Sequence, residues 1–184
     1  MTTATKIPGF VSQRDFQKAD KDYLKNERQN GKFSDPVSIE FMAAGGEKGR
    51  KGEYLVKQQF EKLGYKVQIL NGYDHADLRV KIGDGWKYVE VKTAAQGGVS
   101  DNFCFNNIKT SNFDILALVM VGYDYTSIII GGKSAKRFIN VYGTLTDRGE
   151  TVYFNRYRGH RFLKGEERFL TITKENIQKI LNDS

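Results

Sequence analysis

Residues 115–121 read Ile-Leu-Ala-Leu-Val-Met-Val, seven apolar positions in a row. The run is far short of the ~20 residues that a membrane helix needs. It also lacks the polar alternation of a strand with one wet face, so it reads as a strand buried on both faces. Such a strand lies inside a sheet that is covered on each side. The rest of the chain must therefore supply neighbouring strands and two covering layers.

The flanking sequence does this. Val56, Phe60 and Leu63 fall at i, i+4 and i+7 and predict a helix over 47–63, stopped by Gly64. Residues 65–70, 76–82 and 86–93 alternate as strands, the last two joined by Gly83-Asp84-Gly85, a hairpin signal. After the Gly97-Gly98 break a short helix is expected at 106–111, then the apolar strand and a further strand at 127–130. Extended segments are expected at 138–145 and 151–157, and Thr173 caps a last helix with Ile177, Ile180 and Leu181 inside. The order helix, three strands, helix, strand (αβββαβ) gives an α/β class with a mixed central sheet flanked by helices.

With 184 residues the chain suits one domain. Three parts are expected: a helical arm at 1–45, a core at 46–130, and a β/α extension at 131–184. The arm would hold a polar helix capped by Ser12 and running through Phe16, Ala19, Tyr23 and Leu24. One cysteine and two histidines leave no disulfide framework and too few soft ligands for structural zinc. There is no signal-peptide core, so a reducing, cytoplasmic setting without membrane contact is the expectation.

The net charge is +7, with local sums of +1, +3 and +3 over 1–45, 46–100 and 101–184. A modest basic excess permits a polyanionic partner without requiring one. The densest patch is 156–164, where Arg156, Arg158, His160, Arg161 and Lys164 alternate with aromatics. Charge interleaved with rings suits a nucleic-acid strand, and it equally suits a solvated strand edge.

The hairpin carries the chemistry. If Asp84-Gly85 is its turn, Asp77 faces Lys92 and Glu90 is the diagonal neighbour on the same face. Two carboxylates and an ammonium then converge on one surface, while Leu78, Val80, Val89 and Val91 point the other way. Adjacent carboxylates repel and call for a cation, and oxygen donors suit Mg²⁺. Glu53 shares the apolar face of its helix, a costly place for a carboxylate unless it is paired or ligating.

These residues resemble the PD-(D/E)XK nuclease superfamily, the restriction-endonuclease-like fold. The resembling stretches are Gly52-Glu53 on the helix, His75-Ala-Asp77-Leu-Arg-Val on one strand and Val89-Glu90-Val-Lys92 on the next, with Ala76 where the proline would stand. The acid-x-Lys pattern occurs once in the chain. The resemblance implies that Asp77 and Glu90, with the main-chain carbonyl of Val91, bind Mg²⁺ for which Mn²⁺ substitutes. Lys92 would activate water and Glu53 assist. By position alone, His75, two residues before Asp77, could contact substrate, although a hairpin-entry turn histidine is the plainer reading, and Gln96, six after Glu90, could hydrogen-bond near the site. The resemblance implies an endodeoxyribonuclease acting on double-stranded DNA, of restriction or homing type, and cutting both strands with one site per chain calls for a homodimer. A junction resolvase and a non-catalytic nucleic-acid-binding module on the same fold remain open.

Overall fold

The computed structural model describes residues 34–70, 76–96, 102–111, 113–142, 144–146, 149–155 and 168–182. The helix expected from Ser12, the histidine at 75, and the basic segment with Arg156, Arg158, His160, Arg161 and Lys164 lie outside the described residues. In chain order the elements are α1 (Pro36–Ala43), a 3-10 turn (Gly45–Glu47), α2 (Lys48–Lys62), β1 (Lys66–Ile69), β2 (Leu78–Ile82), β3 (Gly85–Ala95) and β4 (Asn102–Ile108). Then follow β5 (Ile115–Val121), β6 (Thr126–Gly131), α3 (Lys133–Tyr142), β7 (Thr144–Thr146), β8 (Gly149–Asn155), β9 (Phe169–Thr171) and α4 (Lys174–Asn182). No helix among the described residues is long and apolar enough to cross a membrane.

The apolar run is β5, interior to a six-stranded sheet of order β1-β2-β3-β5-β6-β9. Only the β3–β5 pair is parallel, so the sheet is mixed as expected. Alternate residues of β5 feed two separate cores. Ala117 and Val119 pack with Val56 and Phe60 of α2 and Ile177 and Ile180 of α4. Leu116 and Leu118 pack with Phe103, Phe105 and Ile108 of β4 and with Ala135 and Ile139 of α3. Full burial of a side chain such as Phe60 or Leu118 contributes roughly 1.5–3 kcal/mol, so both layers are needed to hold this strand.

The expected helix at 106–111, between the third and fourth core strands, is absent. In its place β4 leaves the main sheet and pairs with β8 in a second sheet of order β4-β8-β7. Phe103 and Phe105, both 1 % exposed, alternate with Cys104 and Asn106, a period of two that no helix can bury. The stretch at 138–145, expected to be extended, lies mostly in α3, whose Ala135 and Ile139 at i and i+4 form a buried stripe. Thr173 does cap the last helix, its Oγ1 accepting from Asn176 N–H at 3.1 Å.

Residues 34–45, expected to belong to the polar arm, dock on the core instead. Asp35 caps α1, Oδ2 accepting from Ser38 N–H at 2.8 Å, and Pro36 pre-sets the first turn. That N–H bond, the largest influence, holds the Asp35 carboxyl below the usual carboxylate range. The buried Ser38 hydroxyl reaches Tyr125 O at 3.0 Å, tying the helix to the β5–β6 turn. Phe41 is 3 % exposed in the α2-side core.

The hairpin register also differs from expectation. Ile82 pairs with Gly85 and Leu78 with Val89, so the turn is Gly83-Asp84, not Asp84-Gly85. Gly83 holds φ +58°, a left-handed value at the first central position, where a primed hairpin turn wants glycine. The shift of the pairing is by two, so every side chain keeps its expected face. We expect Gly83→Ala to destabilise the protein by about 1 kcal/mol in urea unfolding, since alanine is strained at positive φ. Gly85→Ala, free of that constraint, should change stability by less than about 0.5 kcal/mol. The reverse ranking would contradict the Gly83-Asp84 turn.

Candidate active site

The site forms where the hairpin ladder stops. The last β2–β3 pair is Leu78 with Val89, and the Asp77 N–H donates to Val89 O at 3.1 Å. Leu70 N–H in turn donates to Asp77 O at 2.8 Å, which fixes the residue from the β1 side. Beyond it the Val91 N–H points toward β2 with no ladder acceptor left, and an open donor there is costly. The Asp77 carboxylate fills the gap, with Oδ2 accepting from Val91 N–H at 2.7 Å. In a strand a residue's N–H and C=O point to the same side, so the Val91 carbonyl lies on Asp77's side as well.

Glu90 and Lys92 alternate with the buried Val89 and Val91, so they project from the opposite sheet face. Lys92 Nζ pairs with Glu90 Oε1 at 2.5 Å, both side chains being mostly buried. Lys92 is therefore not the cross-strand partner of Asp77, as the Asp84-Gly85 turn would have required. The turn at Gly83-Asp84 brings Asp77 beside Glu90 instead. Burial pushes the Glu90 carboxyl above its ordinary range, and the Asp77 charge adds to the rise against the opposing Lys92 contacts.

Glu53 reaches the cluster from α2. Its neighbour Gly52 lies flush on β3, where a Cβ would fall 1.9 Å from Thr93 Oγ1. That approach sets the helix close enough for Glu53 to feel the strand carboxylates. Burial raises its carboxyl first, and Asp77 and Glu90 raise it further, while Arg50 and Lys92 oppose. Thr93 Oγ1 is buried against the glycine with no hydrogen-bond partner. The pairing of Gly52 with Thr93 was missed in the sequence, where a glycine within a helix signals close approach but does not name what approaches.

Three carboxylates thus share one field with Lys92, and two of them resist ionisation. Among the described residues no set of three His, Cys, Asp or Glu side chains is grouped to hold a metal by side chains alone. Two carboxylates with the Val91 carbonyl form an all-oxygen donor set, the chemistry that Mg²⁺ or Mn²⁺ takes. Gln96 is 6 % exposed, and its Oε1 accepts from Tyr123 N–H at 3.3 Å, closing the β5–β6 turn.

No family model and no curated protein matches the chain. Among solved structures, the bacterial homing endonuclease I-Ssp6803I superposes with a TM-score of 0.53 over 73 % of this chain and 90 % of that one. The fold is shared with a nuclease. Sequence identity is 14 %, so the likeness speaks to the fold alone.

Two predictions follow from the packing and charge of this site. Glu53→Gln should raise the thermal midpoint at pH 7, because the folded state of the parent protein disfavours the ionised form of this carboxyl, which the unfolded chain adopts freely. The parent's penalty sets in as pH rises from the unfolded carboxyl pKa, about 4.3, through the higher folded one. The gain should therefore vanish near pH 3 in a series of melts. Gly52→Ala should cost about 1–3 kcal/mol by overpacking against Thr93. Thr93→Ala in the same chain should recover much of that loss in a double-mutant cycle.

Proposed function

We propose that the protein is a Mg²⁺-dependent endodeoxyribonuclease of the PD-(D/E)XK type. The observation that carries this reading is the Asp77–Glu90–Lys92 cluster at the open end of the hairpin, with Glu53 beside it, in a fold shared with a homing endonuclease. The same likeness favours a site-specific, homing-type enzyme over a junction resolvase.

Asp77, Glu90 and the Val91 carbonyl are the residues that would hold the ion. When bound, Mg²⁺ supplies a Lewis acid for the phosphoryl oxygen and lowers the pKa of a coordinated water. The chain's own groups do the rest. The Val91 N–H engages Asp77 Oδ2 and thereby fixes the carboxylate at the end of the strand. Lys92, held on Glu90, places an ammonium where it can orient the attacking water and offset charge building on the phosphorus oxygens. Glu53 accepts a proton readily for a carboxylate, as burial and its acidic neighbours dictate, and it can take one from that water. Cleavage of both strands with one site per chain calls for a symmetric pair, so the reading includes a homodimer on double-stranded DNA.

The test incubates the purified full-length protein with supercoiled plasmids and long genomic DNA in Mg²⁺, Mn²⁺ or EDTA. We expect cutting with either metal, none with EDTA, and a loss of at least about 100-fold in Lys92→Ala. Discrete fragments would mark a site-specific enzyme and a smear a non-specific one. Intact DNA in every lane would overturn the reading in favour of a non-catalytic binding module.

A further inference from the structure

The second sheet and α3 cover only part of their side of the main sheet. Their core contacts fall on Ala94, Leu116 and Leu118, toward β5. On the same side, the β1–β2–β3 end presents Lys66, Gln68, Arg79, Lys81, Trp86 and Tyr88. The cross-strand pairs place them in two rows, Gln68–Arg79–Tyr88 and Lys66–Lys81–Trp86. Val67, Leu78, Val80 and Val89 point the other way, into the α2-side core. Glu90 and Lys92 continue the line of Trp86 and Tyr88 along β3, so this face leads directly into the candidate site.

Arg79 is the organised member of the patch. Its guanidinium stacks over the Trp86 ring, 4.7 Å from the centroid, and its Nε donates to Gln68 Oε1 at 2.6 Å. Stack and bond together hold the plane of the fork and occupy its Nε. They leave the two terminal nitrogens directed elsewhere. Among the described residues no carboxylate pairs with Arg79, Lys81 or Lys66. Lys81 Nζ lies 5.9 Å from the same ring and donates only to the main-chain Asp84 O. An arginine immobilised on an aromatic face with its outer donors uncommitted is prepared for a planar or tetrahedral oxyanion.

We propose that Arg79 is a phosphate-binding residue for the nucleic-acid backbone, set one or two nucleotides from the phosphate that enters the Asp77–Glu90 site. Arg79 lies two positions along the chain from Asp77, roughly 7 Å at strand spacing, and one DNA strand advances about 3.4 Å per nucleotide along the axis. The cluster of Glu53, Asp77 and Glu90 repels an approaching phosphodiester, and the cationic face beside it offsets that repulsion. Lys81 and Lys66 extend the same track toward the edge strand. The proposal rests on the nuclease reading for its position, although phosphate binding by Arg79 does not require cleavage.

Trp86 is the chain's single tryptophan, so its emission reports the stack directly. The experiment titrates the full-length protein with a mixed-sequence DNA duplex in EDTA, following Trp86 fluorescence and binding at several salt concentrations. Binding should shift the Trp86 emission. Arg79→Ala should weaken binding about tenfold and lower the salt slope by about one, while Arg79→Lys should restore the slope and only part of the affinity. Melting curves confirm that each variant folds, and Gln68→Leu, which frees Nε without removing charge, provides a second variant expected to weaken binding less. Unchanged affinity and slope in a folded Arg79→Ala, or no duplex binding by the parent protein, would overturn the proposal. Arg79-dependent binding without cleavage in Mg²⁺ would sustain it while removing the nuclease reading. Cleavage with an unchanged KM in Arg79→Ala would do the opposite.

Discussion

The hydrogen bond from Val91 N–H to Asp77 Oδ2, 2.7 Å long, joins the fold to the site. It exists because β2 ends one residue before the ladder on β3 is complete. A main-chain donor left open at a strand end must find an acceptor, and here a carboxylate provides it. The same bond aims Asp77 across the mouth of the hairpin, beside Glu90 and the Val91 carbonyl. The position of a candidate ligand is thus determined by backbone accounting in the sheet. Truncating Asp77 would remove a carboxylate and also reopen a ladder donor, so its effects on stability and on chemistry are coupled.

The site is electrostatically expensive. Glu53 and Glu90 both have carboxyls held above the ordinary range, chiefly by burial and then by their acidic neighbours. Lys92 answers part of that charge through its contact with Glu90. What remains is a field that favours a further cation, and the oxygen donors around it are of the kind that a hard divalent ion takes. Gly52 keeps the expense in place, because its missing side chain lets α2 press against Thr93 and hold Glu53 in the cluster.

Much of this was legible in the sequence, and the failures have physical causes. Which face each hairpin residue takes followed from alternation, since Leu78, Val80, Val89 and Val91 must be buried together. The register did not, because either glycine flanking Asp84 could serve the turn and only the backbone angle at Gly83 decides between them. Glu53, Asp77, Glu90 and Lys92 could be singled out because charge at apolar spacing is conspicuous. The strand β4 was misread because its buried pair, Phe103 and Phe105, is too short a pattern to outweigh the polar Asn106-Asn107 that follows. Asn107 takes φ +59° at a register break, a local accommodation that no periodicity announces.

That misreading matters for function, because β4 decides how much of the sheet is covered. A crossover helix between β3 and β5 would lie over the sheet between them. The chain instead sends β4 into a separate three-stranded sheet, which packs over Ala94, Leu116 and Leu118. Among the described residues, the hairpin half of that face has Lys66 and Tyr88 exposed and Gln68, Arg79, Lys81 and Trp86 half-buried. On the opposite face the hairpin's Val89 and Val91 are sealed under α2. One strand, β3, consequently joins a dry core on one side to a cation-rich, partly exposed face on the other, and Glu90 and Lys92 stand at the boundary. An acidic cluster at such a boundary has a cationic face on one flank while its carboxylates keep the burial that perturbs them.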